Sequence, residues 1–140
     1  MTTVLDAMEY LESLNVEREA KVAIGVTSEF ILDLNREQLI HGKRADGTKM
    51  PNYSRASVVV YGKPAGPIML YDTGNFQGSF KLDVGSEALQ ILADDPNDLE
   101  GRYGEEIYGL DKTNQEYYNQ EIFLPELAKG IEEITGLKFN

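Results

Sequence analysis

The sequence predicts a single α+β domain with an N-terminal amphipathic helix, a small antiparallel sheet built on a central hairpin, and a C-terminal helix. Three observations predict it. Apolar residues recur every three or four positions from Val16 to Leu34. They alternate from Phe76 to Val84, and Pro125 and Gly136 bracket a last helical face. A chain of 140 residues buries roughly 68 to 70% of the surface its unfolded form exposes, enough for a real core.

Residues 1 to 15 hold two apolar clusters, Val4-Leu5 and Tyr10-Leu11-Leu14, without a start signal, and read as a short or frayed helix. The main N-terminal helix spans residues 16 to 41. Val16, Ala20, Ala23, Ile24, Thr27, Ile31 and Leu34 share one face, with Glu17, Arg18, Lys21, Glu29 and Asp33 between them. Gly25 inside this helix costs up to ~1 kcal/mol relative to Ala and marks a close backbone approach or a slight break. From His41 to Ser54 the periodicity stops. Gly42 ends the helix, Asp46-Gly47 makes a turn, and Pro51 blocks renewed helix.

The expected sheet covers residues 56 to 93. Ala56 to Tyr61 is β-branched and aromatic enough for a strand, broken by Gly62-Lys63-Pro64-Ala65-Gly66-Pro67, and Ile68 to Leu70 leads into the hairpin. From Phe76 one strand face carries Phe76, Gly78, Phe80, Leu82 and Val84; Gln77, Ser79, Lys81 and Asp83 take the other. Gly85-Ser86 reads as a two-residue turn, and Glu87 to Ala93 returns as the second strand. Asp94-Asp95-Pro96-Asn97-Asp98 then ends the sheet. Residues 94 to 121 have little periodicity but hold Tyr103, Tyr108, Tyr117 and Tyr118, which argue against disorder and for a contact arm. Residues 124 to 136 form the last helix, with Pro125 at its first position and Gly136 just past its end.

Composition narrows the chemistry. The absence of cysteine excludes disulfides, thiolate zinc sites and a cysteine nucleophile, and His41 is the only histidine. No apolar stretch approaches the ~20 residues of a membrane span, so no membrane partner is expected. Asp6 and Glu9 are unlike the basic start of a signal peptide, which reads as a soluble, untargeted chain. The net charge of -11 is unevenly placed: residues 36 to 85 carry seven basic and four acidic groups, residues 86 to 140 four and thirteen. Net negative charge disfavours nucleic-acid binding, and the basic middle favours assembly against an acidic surface.

Asp72-Thr73-Gly74, following Leu70-Tyr71, has the sequence of an aspartic-protease motif, in which two carboxylates share a proton. Asn75 stands where those enzymes carry a small residue, and no second copy of the motif follows in a comparable setting. Turn chemistry is the favoured reading, in which the three residues turn the backbone and satisfy its amides before the strand. Asp94, Asp95, Asp98 and Glu100 offer oxygens for a hard cation but match no calcium-loop spacing, and read as a solvated acidic turn. Lys43 and Arg44 lie in no phosphate-loop pattern, and neither Gly-x-Ser-x-Gly nor Gly-x-Gly-x-x-Gly occurs. No catalytic residue, metal or cofactor is expected.

The order of several segments resembles the tail-completion, or virion morphogenesis, proteins of long-tailed phages. These segments are Gly42, Asp46-Gly47 and Pro51-Asn52-Tyr53-Ser54; then Leu70, Asp72-Thr73-Gly74, Phe76 and Ser79; then Tyr103, Ile107-Tyr108-Gly109-Leu110 and Phe123-Leu124-Pro125-Glu126-Leu127. The resemblance spans about residues 25 to 135, and the family's late-loop histidine is missing here. It implies a non-enzymatic virion protein of the head–tail neck, made in the host cytoplasm and present in the particle. Such a protein forms a homo-oligomeric ring that meets connector or portal-side neck proteins and the tail tube or tail terminator, without sequence-specific nucleic-acid contact. With the basic loop and the tyrosines, this puts the expected interface at Lys43, Arg44, Lys49, Tyr53, Tyr103, Tyr108, Tyr117 and Tyr118. The alternatives are a dimeric aspartic protease using Asp72 and an acidic adaptor or inhibitor of a basic protein.

Overall fold

The computed structural model describes residues 16 to 85 and 88 to 136. The expected helix in residues 1 to 15, and Ser86 and Glu87 of the expected hairpin, lie outside the described residues. The fold is α+β, with helices packed around one two-stranded antiparallel sheet.

In place of one helix over residues 16 to 41 there are two, α1 (Val16–Val26) and α2 (Ser28–Ile40). The break falls at Thr27, two residues past Gly25. The Thr27 hydroxyl donates to Ala23 O at 2.7 Å, which leaves its oxygen to accept from the Tyr118 hydroxyl at 2.8 Å. A threonine hydroxyl bonded back to the preceding turn bends a helix. The tyrosine fixes that bend to the C-terminal part of the chain.

Helix α2 is the centre of the molecule. Leu32 and Leu39 pack with Met50, Leu70, Phe80 and Ile107, while Ile31 packs with Leu110 and Tyr118. Each such aliphatic side chain, fully buried, contributes roughly 1.5–3 kcal/mol. On the same helix Asn35 and Gln38 are also buried. Asn35 Nδ2 donates to Ile107 O (3.0 Å) and its Oδ1 accepts from Gly109 N (3.1 Å). Gln38 Nε2 donates to Gly109 O (3.0 Å) and its Oε1 accepts from Asp111 N (2.8 Å). Two side-chain amides three residues apart thus serve the irregular backbone from 107 to 111 as a neighbouring strand would.

The expected strand over residues 56 to 61 is instead a helix, α3 (Arg55–Tyr61). Ser54 Oγ accepts from Ser57 N at 3.1 Å, and Gly62, at φ 69°, closes the C-terminal end. Strand preference reports packing on a sheet, and none of these residues is buried, so the two caps decide. The strand expected from Phe76 begins only at Lys81. Asn75–Gly78 is one helical turn, α4, which brings Phe76 edge-on to Phe80 at 5.1 Å between ring centroids and buries Gln77. Ile68 to Leu70 is not a strand, so among the described residues the sheet is β1 (Lys81–Val84) and β2 (Leu89–Leu92). Leu82 pairs with Ile91, and Val84 with Leu89. The central hairpin is therefore present, with Gly85 N bonded to Ala88 O at 3.0 Å.

The irregular arm expected over residues 94 to 121 is mostly helical and partly core. It contains α5 (Leu99–Tyr103), a 3-10 turn (Glu105–Ile107) and α6 (Lys112–Tyr117). Asp98 and Asp111 cap α5 and α6 by accepting from Gly101 N and Asn114 N. A π-helical turn (Tyr118–Phe123) joins α6 to α7 (Leu124–Thr135) through helical backbone at Phe123 and Leu124. Pro125 therefore lies within a longer helical run, where the widened turn before it relieves the clash with preceding carbonyls. Gly136, at φ 73°, ends α7 as the sequence predicts, and α1 packs against α7.

Asn35→Ala strands Ile107 O and Gly109 N without partners and is expected to cost about 2–4 kcal/mol, since each buried unpaired group costs about 1–3. Urea unfolding checks this as a lowered midpoint with an unchanged slope.

Candidate functional site

The basic middle of the chain divides into a tethered loop and a projecting helix. In the loop, the Asp46 carboxylate accepts from Thr48 N (3.0 Å) and Thr48 Oγ1 (2.6 Å), bonds that hold its pKa below the usual carboxylate value. Gly47 takes the positive φ that this turn requires. Arg44 faces inward: Nη1 donates to Tyr103 O (2.9 Å) and Nη2 to Lys49 O (2.8 Å), while Ala45 N reaches Glu106 O at 2.7 Å. The loop is thereby fastened to the 103–106 segment. Lys43 and Lys49 remain exposed. Tyr53 is half-buried; its hydroxyl accepts from Met69 N, and Lys63 Nζ lies 5.9 Å from its ring centroid.

Helix α3 carries a surface that reading the segment as a strand conceals. Val59, Val60 and Tyr61 are 73%, 70% and 76% exposed, the three most exposed large apolar side chains among the described residues. Residues 42 to 67, which include this helix, hold five basic residues against one acidic. As consecutive helical positions they point about 100° apart, so they surround the end of α3 with apolar surface open to an interaction partner.

A groove of about 710 Å³ opens between the hairpin and the segment held by Asn35 and Gln38. Leu82, Ile91, Leu110 and Tyr118 contribute apolar surface; Asp95, Glu100, Glu105 and Glu106 contribute carboxylates, and no Lys, Arg or His lines it. Tyr108 lies in its wall with its ring 5.8 Å from that of Phe80. Burial, and then the nearby Asp95 and Glu100 charges, push the Tyr108 hydroxyl up to about 12. Burial also raises Tyr118, against the opposing effect of its bond to Thr27.

The expected interface residues thus separate. Lys43, Lys49 and Tyr117 are open surface. Tyr53, Tyr103 and Tyr108 are half-buried, with Tyr103 beneath the Arg102 guanidinium and packed on the core. Arg44 is used inside the chain, and Tyr118 is a core residue whose hydroxyl is spent on Thr27.

The Asp72-Thr73-Gly74 motif lines a second cleft of about 530 Å³. The Asp72 side chain is 85% exposed and ion-paired with Lys63 at 2.9 Å, a bond that raises the lysine's pKa. Thr73 Oγ1 accepts from Asn75 N, and Gly74, at φ 85°, leads into α4. The three residues make the turn that starts a helical turn. Asp95, in the same cleft, accepts at Oδ1 from Leu99 N (2.7 Å) and at Oδ2 from Glu100 N (2.9 Å), so Asp95, like Asp98, caps the start of α5. Among the described residues no group of three or more His, Asp or Glu is arranged to hold a metal ion, and no helix is long and apolar enough to cross a membrane.

Two outcomes test these assignments. Asp72→Asn is expected to leave the fold and the urea midpoint essentially unchanged, because the carboxylate sits in a solvent-screened pair. Tyr108 keeps its proton in the folded state between its ordinary value of 10.0 and about 12. The folded state binds more protons than the unfolded one there, so stability is full below pH 10 and falls as pH rises toward 12. Tyr108→Phe is expected to reduce that alkaline slope in denaturant titrations at stepped pH. Neither a family model, nor a curated protein, nor a solved structure matches this chain.

Proposed function

We propose that this chain is a non-catalytic structural subunit that assembles head-to-tail into a ring, the tail-completion or neck component of a long-tailed phage. The observation that carries the reading is the division of the surface between an uncovered apolar helix tip on a basic segment and an apolar groove lined by carboxylates. Such a pair of unlike surfaces suits a heterologous contact, which closes into a ring when the rotation between subunits allows. The order of turn motifs around Gly42, Asp46-Gly47, Asp72-Thr73-Gly74 and Pro125 supplies the phage identity by resemblance.

In this reading the ring joins the connector or portal side to the tail tube or its terminator. The excess of acidic groups in residues 86 to 140 lets DNA pass without adhering. Asp72 pairs with Lys63 and belongs to the turn that leads into α4, which supports the structural reading of the motif.

Deleting the gene from the phage that encodes it is expected to leave filled heads and finished tails that fail to join, with infectivity restored by the chain supplied in trans. Mass spectrometry of intact particles is expected to find the chain at ring-like copy number. Infectious particles that lack the chain would overturn the proposal.

A further inference from the structure

The projecting tip of α3 and the acidic groove have complementary chemistry, and no residue of α3 lines the groove of its own chain. Val59, Val60 and Tyr61 offer apolar surface that nothing in the described chain covers. Arg55 at the start of the same helix is exposed and in no ion pair among the described residues, and the exposed Lys43 and Lys49 belong to the same basic segment. The groove reverses the charge and matches the apolar character. Its apolar surface includes Leu82, Ile91 and Leu110, and Glu100, Glu105 and Glu106 are in no ion pair among the described residues.

We infer that the α3 tip of one copy of this chain seats in the groove between hairpin and α6 of the next copy. The end of α3 enters with its exposed apolar side chains toward Leu82, Ile91 and Leu110, and Arg55 faces Glu105 and Glu106. A second copy is the occupant because the same sequence supplies both halves, each with the charge that the other lacks. The desolvated Val and Tyr side chains supply most of the affinity, while the surrounding charges set register and speed encounter. The contact is heterologous: each copy uses its tip once and its groove once, so chains add in one direction. This inference rests on the ring proposed above and names the surfaces that build it.

The natural chain has no cysteine, so a disulfide between introduced cysteines reports only the contact being tested. Val60→Cys and Gln90→Cys are both at exposed positions, and Gln90 lines the groove, so both variants are expected to fold. Mixed under mild oxidation, the two variants are expected to give at least fivefold more disulfide-linked dimer than either alone, because bridging requires Cα atoms within about 7 Å. Arg55→Glu is expected to lower the yield at least threefold, and Glu105→Lys with Glu106→Lys in the other partner to restore it. A mixture that links no better than the single variants overturns the inference. So does Val60→Cys linking to itself as readily, which would place α3 against α3. A chain found in particles without the Val60–Gln90 link fails this contact and keeps the ring. Particles complete without the chain, with the link formed, fail the neck reading and keep the contact.

Discussion

Two buried side-chain amides hold this fold together. Asn35, fully buried on α2, and Gln38 one turn later give and take hydrogen bonds along the backbone from Ile107 to Asp111. That backbone belongs to no strand and to no long helix, so without them its polar groups would be buried unpaired. With them, Ile107 enters one half of the core and Leu110 the other, on either side of the same helix. A third buried amide repeats the device: Gln77 Nε2 donates to Met69 O at 2.9 Å and steadies the chain before the hairpin. A sheet of two strands is too small to organise a domain of this size. Side-chain amides on a central helix take over part of its role.

The grooved surface follows from the same constraint. The hairpin forms one side, and the segment pinned by Asn35 and Gln38 forms the other, which puts Tyr108, Leu110 and the carboxylates of Glu105 and Glu106 around one opening. Arg44 and Ala45 fasten the Asp46-Gly47 loop to this segment at Tyr103 and Glu106. The basic loop and the acidic wall are therefore one connected body, with α3 projecting beyond the loop.

The parts of the fold legible in the sequence were those with redundant signals. The first hairpin strand alternates, and a glycine separates it from a second, largely apolar run; α7 has its apolar face and Gly136; α2 has its three- and four-residue spacing. The errors share a physical origin. Phe76, Gln77 and Phe80 fit alternation and also fit a helical turn, and the turn prevailed because it buries Gln77 and places Phe76 on Phe80. Val58, Val59 and Val60 read as a strand, yet with no sheet to join, the caps at Ser54 and Gly62 set the conformation. In residues 94 to 121 the helices are too short for periodicity to appear, although Asp98 and Asp111 were available as cap signals. The charge asymmetry behind the candidate site was legible, but Tyr118 could not be told from a surface tyrosine. It is buried against Ile31 and Leu110, and its hydroxyl bonds to that of Thr27, 91 residues away in sequence.

The claim that this surface builds a one-directional assembly is tested most directly by the mass of the purified chain in solution, followed by light scattering over a concentration series at low and high salt. A one-directional contact predicts a mass that rises past two chains to a fixed multiple as concentration increases, with that rise moved to higher concentration as salt screens Arg55 from the groove carboxylates. A mass that stays at one chain at every concentration, or stops at two regardless of salt, would contradict it.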